Sequence, residues 1–279
     1  MFHWIEQLEP GGRVLDVASG PGSFPAALFP CMLVSLDEDP DAFRTAAPLP
    51  PGPCYRVFGR AGRLPFAPAA FDLVICHHAL EHVADLAAAL TEVARVLKPD
   101  GRFFVSVPAG YGLCDGIYRY LFDGGGHVQR FRRQELAAEV ERLTGLRLVR
   151  WRTLYSSFVY IRRLREMLDD PPTELAPRLA RVARLPRPLL PAAQRFLCRA
   201  TRAIDRRFGS RLSVYGWALY FERTGAPREP VEEPGYLNVC AGCGAGHPSA
   251  SLSLSGRTHY VCPACSARNR YAPPFGNTV

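Results

Sequence analysis

The chain has 279 residues, of which 48% are hydrophobic and 22% charged, with 34 Lys and Arg against 26 Asp and Glu. This composition excludes a disordered, collagen-like or coiled-coil protein, and no apolar run is long enough to predict a membrane-spanning helix. The first residues lack the basic and then apolar layout of a secretory signal, so we expect a cytoplasmic protein.

The net charge of +8 is unevenly distributed along the chain. Residues 1–155 have 16 basic against 17 acidic residues, residues 156–211 have 13 against 5, and residues 212–279 have 5 against 4. The excess therefore lies in one segment, which is the surface that would attract an acidic partner.

Strand-like and helix-like segments alternate over the first 155 residues. The apolar runs are 13–17, 32–36, 71–76 and 102–107, and a helix is expected at 23–29. Apolar residues at helical spacing predict one amphipathic helix over 80–97. This order predicts an α/β fold: a Rossmann-like, mostly parallel sheet with helices on both faces.

Candidate ligand-binding residues lie at the ends of the first two strands. The sequence DVASGPG occupies residues 16–22, where Gly20 and Gly22 would let the backbone approach a ligand closely. Asp37 ends the second strand, about 20 residues after this turn, where a carboxylate can accept from both hydroxyls of a ribose. The two features together predict a nucleotide-type ligand.

Four ordered segments resemble class I S-adenosylmethionine-dependent methyltransferases of the type-11 (UbiE-like) group. They are VLDVASGPG (14–22), VSLDEDP (34–40), RLPFAPAAFDLVICHHALEHV (63–83) and EVARVLKPDGRFFVSVP (92–108), with a looser match in GGHVQRFRRQELAAEVERLTGL (125–146). The resemblance implies a seven-stranded sheet that ends in an antiparallel strand at LSVYGWALYFER (212–223). NAD binding is the competing interpretation, against which the third and fourth segments argue.

The resemblance implies S-adenosylmethionine as co-substrate, held by Asp16, Ala18, Ser19, Gly20, Gly22, Asp37, Glu38, Ala61, Cys76 and His77. Two positions depart from the family pattern. Ala18 stands where many members have the first glycine, and Arg60 stands where the family usually has an acid that accepts from the adenine amino group. Arginine cannot accept a hydrogen bond. Either backbone near Ala61 holds the adenine, or affinity is lower, or the loop is shifted.

The candidate catalytic residues are His78, His82 and His127. A neutral imidazole suits a general base near neutral pH, which an oxygen or nitrogen acceptor would need. If the helix has already begun at His78, then His78 and His82 share one helix face. The alternative is that these side chains line the adenosyl site, cap or pack, and that His127 only stabilises its glycine-rich loop.

Segment 156–211 is predicted to be an arginine-rich helical insertion before the last strand. Helical spacing of apolar residues occurs over 157–168 and 192–208. Three interpretations stay open: a helical cap that shapes acceptor choice, a basic surface that contacts an anionic membrane peripherally, and a nucleic-acid-binding surface.

The tail after a Pro- and Glu-containing linker (225–235) contains a second motif. Cys240, Cys243, Cys262 and Cys265 form C-x2-C-x18-C-x2-C, the spacing of a four-thiolate structural zinc site. We therefore expect a zinc-ribbon-like module over 236–279 that depends on the metal for folding, with His247 and His259 as bystanders. Disulfides are the disfavoured alternative.

The predicted division is thus a methyltransferase domain (1–224), a linker and a ribbon. The predicted activity is in-line methyl transfer to an O or N acceptor, less readily C, on a small molecule, glycan or lipid precursor. One alternative is an RNA or protein methyltransferase that uses the basic insertion and the ribbon to bind its substrate. A second alternative, motivated by Arg60, is a non-catalytic scaffold.

Overall fold

A computed structural model describes residues 12–23, 32–44, 46, 49, 52–122, 124, 126–156, 158, 161, 189–223, 229–233, 238–239, 246–247, 252–255 and 259–270. The helix predicted over 23–29 lies outside the described residues except at Ser23, and the one predicted over 157–168 except at Phe158 and Ile161. Cys240 and Cys243 also lie outside them.

The chain divides into two compact units. Unit 1 comprises Met1–Pro108, Val128–Trp151 and Trp217–Glu232, and unit 2 comprises Ala109–His127, Arg152–Gly216 and Glu233–Val279. The domain division drawn from the sequence stays a prediction.

The main sheet has eight strands in the order β3-β2-β1-β4-β5-β7-β6-β8. Its strands are β1 (Arg13–Val17), β2 (Met32–Asp37), β3 (Cys54–Phe58), β4 (Phe71–His77), β5 (Leu97–Pro108), β6 (Arg147–Tyr155), β7 (Val214–Glu222) and β8 (Val231–Glu233). Strands β1 to β5 pair in parallel. The Rossmann-like fold class is therefore confirmed, with β7 between β5 and β6 and with β8, inside the predicted linker, added at the edge.

The helices of the described residues are α1 (Pro40–Arg44), α2 (Leu86–Val96), α3 (Leu113–Leu121), α4 (Arg133–Thr144) and α5 (Leu189–Phe208), with a short 3-10 helix at Leu80–His82. None of the described helices combines the length and the apolar character needed to cross a membrane. The described stretches of the tail contain five short strands: β9 (Asn238–Val239), β10 (Gly246–His247), β11 (Leu254–Ser255), β12 (His259–Val261) and β13 (Arg268–Arg270).

The core of unit 1 lies around the parallel strands. Leu15, Val74 and Val105 are fully buried in the centres of β1, β4 and β5, and Leu90 and Val93 of α2 belong to the same cluster. Near-continuous apolar runs in these strands are what a sheet covered on both faces requires. This packing holds the strand ends, and thus the candidate site, in fixed register.

The continuous helix predicted over 80–97 is wrong in its first turns. A 3-10 turn ends at His82, Val83 has extended backbone, and α2 begins only at Leu86, after Asp85 caps it by accepting from the Ala88 amide at 2.9 Å. The apolar spacing continues through this break because both segments pack on the same core.

Candidate functional site at the carboxyl ends of the parallel strands

The carboxyl ends of the parallel strands of unit 1 are aligned. Val17 is in register with Leu36, Asp37 with Phe58, and His77 with Ser106. From β1 the chain proceeds to β2 and β3 on one side, and then to β4 and β5 on the other. Ligands of such sheets bind beside this reversal, so the segment after β1 is where a ligand is expected.

The segment after β1 is a tight turn with left-handed backbone. The φ angles are +50° at Ala18, +56° at Gly20 and +124° at Gly22. The Ser19 amide donates to the Leu36 carbonyl at 3.0 Å, and the Gly22 amide donates to the Ser19 carbonyl at 2.9 Å. A Cβ added at Gly20 would meet no atom within 4 Å, so this face of the turn is open.

The buried carboxylate of Asp16 stabilises the turn by accepting hydrogen bonds. One of its oxygens accepts from the Ser23 hydroxyl at 2.7 Å and the other from the Ser23 amide at 3.1 Å. Burial raises the pKa of Asp16 to about 7, although both hydrogen bonds from Ser23 oppose the rise and the charge of Asp37 adds to it. These contacts make Asp16 a residue that positions the turn.

Asp37 joins the first two strand ends. Its Oδ2 accepts from the Gly20 amide at 2.7 Å and its Oδ1 from the Asp39 amide at 2.9 Å. Each carboxylate oxygen has two acceptor positions, so both keep one for a ligand hydroxyl. The geometry thus fits a side chain that orients the turn and binds a diol.

Arg60 forms an ion pair with Glu38. Its Nε lies 3.1 Å from Glu38 Oε2, and both side chains are mostly exposed. The backbone beside it is held by bonds from the Gly59 amide to the Asp37 carbonyl and from the Arg63 amide to the Arg60 carbonyl, both at 3.0 Å. The positive charge that departs from the family pattern is therefore matched by the acid after β2, and half-buried Ala61 follows it.

The loop that carries Arg60 and Ala61 is attached to α2. Glu92 Oε2 accepts from the Leu64 amide at 2.6 Å, and Arg95 donates to the carbonyls of Leu64 and Phe66 at 3.0 and 2.7 Å. Glu92 and Arg95 also pair with each other at 2.7 Å. The loop that contains Leu64, Pro65 and Phe66 is therefore fixed against α2 by these hydrogen bonds.

Cys76 and His77 end β4 in a buried environment. Burial raises the pKa of the Cys76 thiol, and the charges of Asp16 and Glu81 raise it further, so the thiol stays protonated. Burial also lowers the pKa of His77 well below its usual value, with His78 as the second cause. His77 Nδ1 lies 2.6 Å from the Ser106 hydroxyl, which makes it a neutral, fixed side chain.

His78 and His82 do not share a helix face, because the helix has not begun at His78. His78 has a φ of +51°, its amide donates to the Ser106 carbonyl at 2.9 Å, and its Nδ1 lies 3.5 Å from Glu81 Oε1. Glu81 is 1% exposed, whereas His82 is exposed. Buried Glu81 therefore lies beside His78.

His127 belongs to unit 2, where its surroundings are a buried cluster. Its Nδ1 lies 2.9 Å from Asp115 Oδ1, its ring stacks on Tyr118 with centroids 4.9 Å apart, and its carbonyl accepts from Arg119 at 2.7 Å. Burial would raise the pKa of Asp115, but the bonds from His127 and Arg119 outweigh it and lower that pKa. An ionised carboxylate only accepts, so Nδ1 of His127 is the donor.

In the tail, one cysteine pair lies within the described residues. Cys262 is buried and Cys265 is exposed, and the turn between them closes with a bond from the Ser266 amide to the Cys262 carbonyl at 2.8 Å. His247 Nε2 lies 3.2 Å from the Cys262 sulfur. The two cysteine thiols of this described pair are ligands that suit zinc. Because His247 lies next to Cys262, it is nearer to the predicted ligands than expected for a bystander.

The sequence analysis did not predict three residues that bind candidate residues or their loops: Ser106, Asp115 and Glu92. Ser106 is one polar residue in a buried strand, where composition gives no sign that its hydroxyl faces a histidine. Asp115 lies in a helix that was not predicted. The spacing of Glu92 and Arg95 was a usable signal, because three residues apart on a helix places them side by side.

The comparisons with known proteins agree with this geometry. The family described as "Methyltransferase domain" matches residues 15–105. A ubiquinone biosynthesis O-methyltransferase of Xylella fastidiosa (strain 9a5c) is 34% identical over 51% of this chain and 67% of its own length. A demethylmenaquinone methyltransferase of Mycobacterium marinum is 37% identical over 36% of this chain.

The similarity to curated relatives covers only part of their length. The chain spans 39% of a Bacillus subtilis relative and 42% of the Mycobacterium marinum protein. Among solved structures, a protein of Bacillus halodurans C-125 described as a methyltransferase superposes with a TM-score of 0.53 at 18% identity, over 80% of this chain and 96% of the other. This last match supports the fold. With the family match and the two-thirds coverage of the Xylella fastidiosa relative, it shows that the chain belongs to the S-adenosylmethionine-dependent methyltransferases of the class I fold.

Proposed function

We propose that this protein transfers a methyl group from S-adenosylmethionine to an oxygen or nitrogen on a small molecule, glycan or lipid precursor. The observation that carries the proposal is the pairing of Asp37 with the open glycine turn at the reversal of strand order. A diol-binding carboxylate next to exposed turn backbone is the combination that an adenosyl group requires.

The chain's own groups provide binding and orientation. The bound co-substrate supplies an electrophilic methyl group on a sulfonium. Asp37 would accept from the ribose hydroxyls, and Asp16, Ala18, Ser19, Gly20 and Gly22 would form the surface that receives the amino-acid end. Glu38, Ala61, Cys76 and His77 would line the adenine side, where the protonated thiol and the neutral imidazole place no charge next to the base.

An oxygen or nitrogen acceptor must lose a proton, and three histidines are candidates for receiving it. His78, with buried Glu81 beside it, and His82 follow β4 at the end where the co-substrate would bind. A different observation supports His127 as a candidate. Because its Nδ1 donates to Asp115, Nε2 of the neutral ring is its proton-accepting atom. We propose His78, His82 and His127 as the residues from which the general base comes.

The relatives favour a quinone-type acceptor precursor. Two of them are named for ubiquinone biosynthesis and for demethylmenaquinone methylation. A hydroxyl on a ring of such a precursor is an oxygen acceptor of the proposed class.

We further propose that the tail binds one structural zinc ion through Cys240, Cys243, Cys262 and Cys265. Four thiolates complete a tetrahedral shell and leave no position for a reacting water. The proposal is supported by the second cysteine pair, in which buried Cys262 and exposed Cys265 flank a tight turn.

Calorimetric titration with S-adenosylhomocysteine tests the co-substrate site. The wild-type protein should bind it, and Asp37→Ala should weaken binding at least about tenfold, because hydrogen bonds to a charged group each contribute about 1.5–3 kcal/mol. Asp37→Asn keeps a side chain that can accept and should lie between the two.

Asp41→Asn is the matched control, because Asp41 is an exposed acid in the helix that follows β2. It should leave the affinity unchanged. Absence of binding by the wild-type protein would favour the non-catalytic scaffold, and equal losses in the Asp37 and Asp41 variants would contradict the proposed diol contact.

A further inference from the structure

Among the described residues, the buried contacts of helix α5 within unit 2 come from one of its faces. Leu190, Leu197 and Cys198 of this helix contact a cluster that includes Cys114, Phe158 and Ile161. Asp205 anchors its last turn by accepting from Ser210, from the Leu212 amide and from Ser213. The rotation of the helix about its axis is thereby set, and so is the face that it presents outward.

The outward face of α5 is apolar. Leu189 is 48% exposed, Phe196 69%, Ile204 39% and Phe208 74%, so this helix holds four of the fourteen exposed large hydrophobic residues of the described chain. Leu189, Phe196 and Ile204 are seven and eight residues apart, which places them on one side of the helix. Single exposed hydrophobics are ordinary, but a row of them along one helix indicates a contact surface.

A basic edge runs beside this apolar face. Arg195, Arg199 and Arg206 are exposed and lie along the adjoining side of the helix, and exposed Arg207 lies at the C-terminal end of the apolar row itself. The single acid of α5 is Asp205, which is buried and fully used by the anchor described above. The outward surface therefore combines apolar side chains with arginines, for which the described part of the chain shows no acidic partner.

We propose that the outward face of α5 binds the surface of an anionic lipid bilayer. Phe196, Phe208 and their aliphatic neighbours would enter the boundary between headgroups and acyl chains, while the arginines contact lipid phosphates above them. An anionic bilayer thus offers acyl chains to the apolar side chains and phosphates to the arginines. The contact needs neither co-substrate nor acceptor and is separate from methyl transfer.

Two other partners match the surface less well. RNA could stack bases on Phe196 and Phe208, but Leu189 and Ile204 offer no aromatic surface for stacking. A second copy of the chain would cover the apolar row, but it brings the same arginines and no exposed acid from its own α5 to match them.

Sedimentation of the full chain with lipid vesicles tests the proposal. The protein should bind vesicles of equal parts phosphatidylglycerol and phosphatidylcholine, should bind pure phosphatidylcholine poorly, and should be released as salt increases. Each arginine near such a surface contributes about fivefold, so Arg195→Gln with Arg199→Gln should lower partitioning about 25-fold. Phe196→Ser with Phe208→Ser should lower it at least as far, because both side chains lose their apolar contact with the bilayer.

Matched controls distinguish binding through α5 from effects of net charge and from nonspecific hydrophobic adsorption. Arg132→Gln with Arg142→Gln removes two exposed charges from the N-cap and the last turn of α4, and Tyr55→Ser removes an exposed aromatic residue from β3. Both should bind vesicles like the wild type. The proposal is overturned if the wild type does not bind anionic vesicles at low salt, if the controls lose as much as the α5 variants, or if single-stranded RNA displaces the lipid.

Discussion

Ala18 holds a backbone conformation that L-residues other than glycine rarely adopt. Its φ of +50° lies in the left-handed region, at the first position of the turn that follows β1. A side chain in this region costs roughly 1–2 kcal/mol, because Cβ crowds the next carbonyl. The turn is therefore kept against local strain by its bonds to neighbouring strand ends.

Replacing Ala18 by glycine should stabilise the protein. The relief of strain exceeds the extra entropy that glycine gives to the unfolded chain, so we expect a gain of about 1 kcal/mol in the free energy of unfolding. Urea denaturation followed by circular dichroism measures it. Ala138→Gly, at an exposed position in the middle of α4, is the control and should cost about 1 kcal/mol. A destabilised Ala18→Gly variant would contradict the strain argument.

Residues at strand ends could be predicted from the sequence, whereas their partners could not. Asp37 follows an apolar run at a characteristic distance from a glycine turn, and both signals are local in the chain. The hydroxyl of Ser106 reaches His77 only because β4 and β5 pair in one particular register. Register depends on packing across the sheet, which a single sequence does not display.

At the scale of whole elements, helix α3 supports a loop that contains His127. Asp115 is buried in the first turn of α3 and receives hydrogen bonds from both Arg119 and His127. This helix was not predicted, because a nine-residue segment with Gly116 in it resembles a loop in composition. The looser family match over 125–146 did predict the next element correctly, a His-containing loop before α4.

The Asp115 contact predicts the tautomer of His127. Because ionised Asp115 accepts from Nδ1, the neutral ring should carry its proton on Nδ1, which nitrogen-15 NMR of labelled histidine can show. Asp115→Asn should remove that preference and destabilise the fold by about 3–5 kcal/mol, since it breaks a buried ion pair.

The exposed pair of α4 provides the comparison for Asp115. Glu139→Gln removes a partner of Arg142 where water screens the charges, so it should leave the urea midpoint of unfolding nearly unchanged. A His127 ring protonated on Nε2 in the wild type would show that Asp115 does not orient it.

At the scale of the whole molecule, the net charge of +8 describes one segment and not the whole surface. Charges nearly balance over 1–155 and over 212–279. In unit 1 many arginines are paired, as in Arg60 with Glu38 and Arg95 with Glu92. Sequence counting could locate the excess, but it could not show which side of α5 faces outward, because that depends on the buried cluster around Cys114.

Zinc in the tail should be measurable in protein purified without chelator, at about one ion per chain. Cys262→Ser should lose the metal, whereas Cys54→Ser, in β3, should retain it. His247 lies beside the Cys262 sulfur, so His247→Asn should keep one zinc but bind it about tenfold more weakly, as expected for a residue that orients a ligand. Zinc-free wild-type protein, or zinc retained by Cys262→Ser, would exclude the site.

The burial of Cys76 has a consequence for chemical durability. A cysteine at the floor of a binding site is usually a point of attack for oxidants and alkylating agents, because the thiolate is the reactive form. Here burial and the neighbouring carboxylates of Asp16 and Glu81 suppress the thiolate. If Cys76 lines the co-substrate site as proposed, it would pack against the ligand as a small apolar group, and we expect methyl transfer to survive treatment with peroxide or thiol-directed electrophiles.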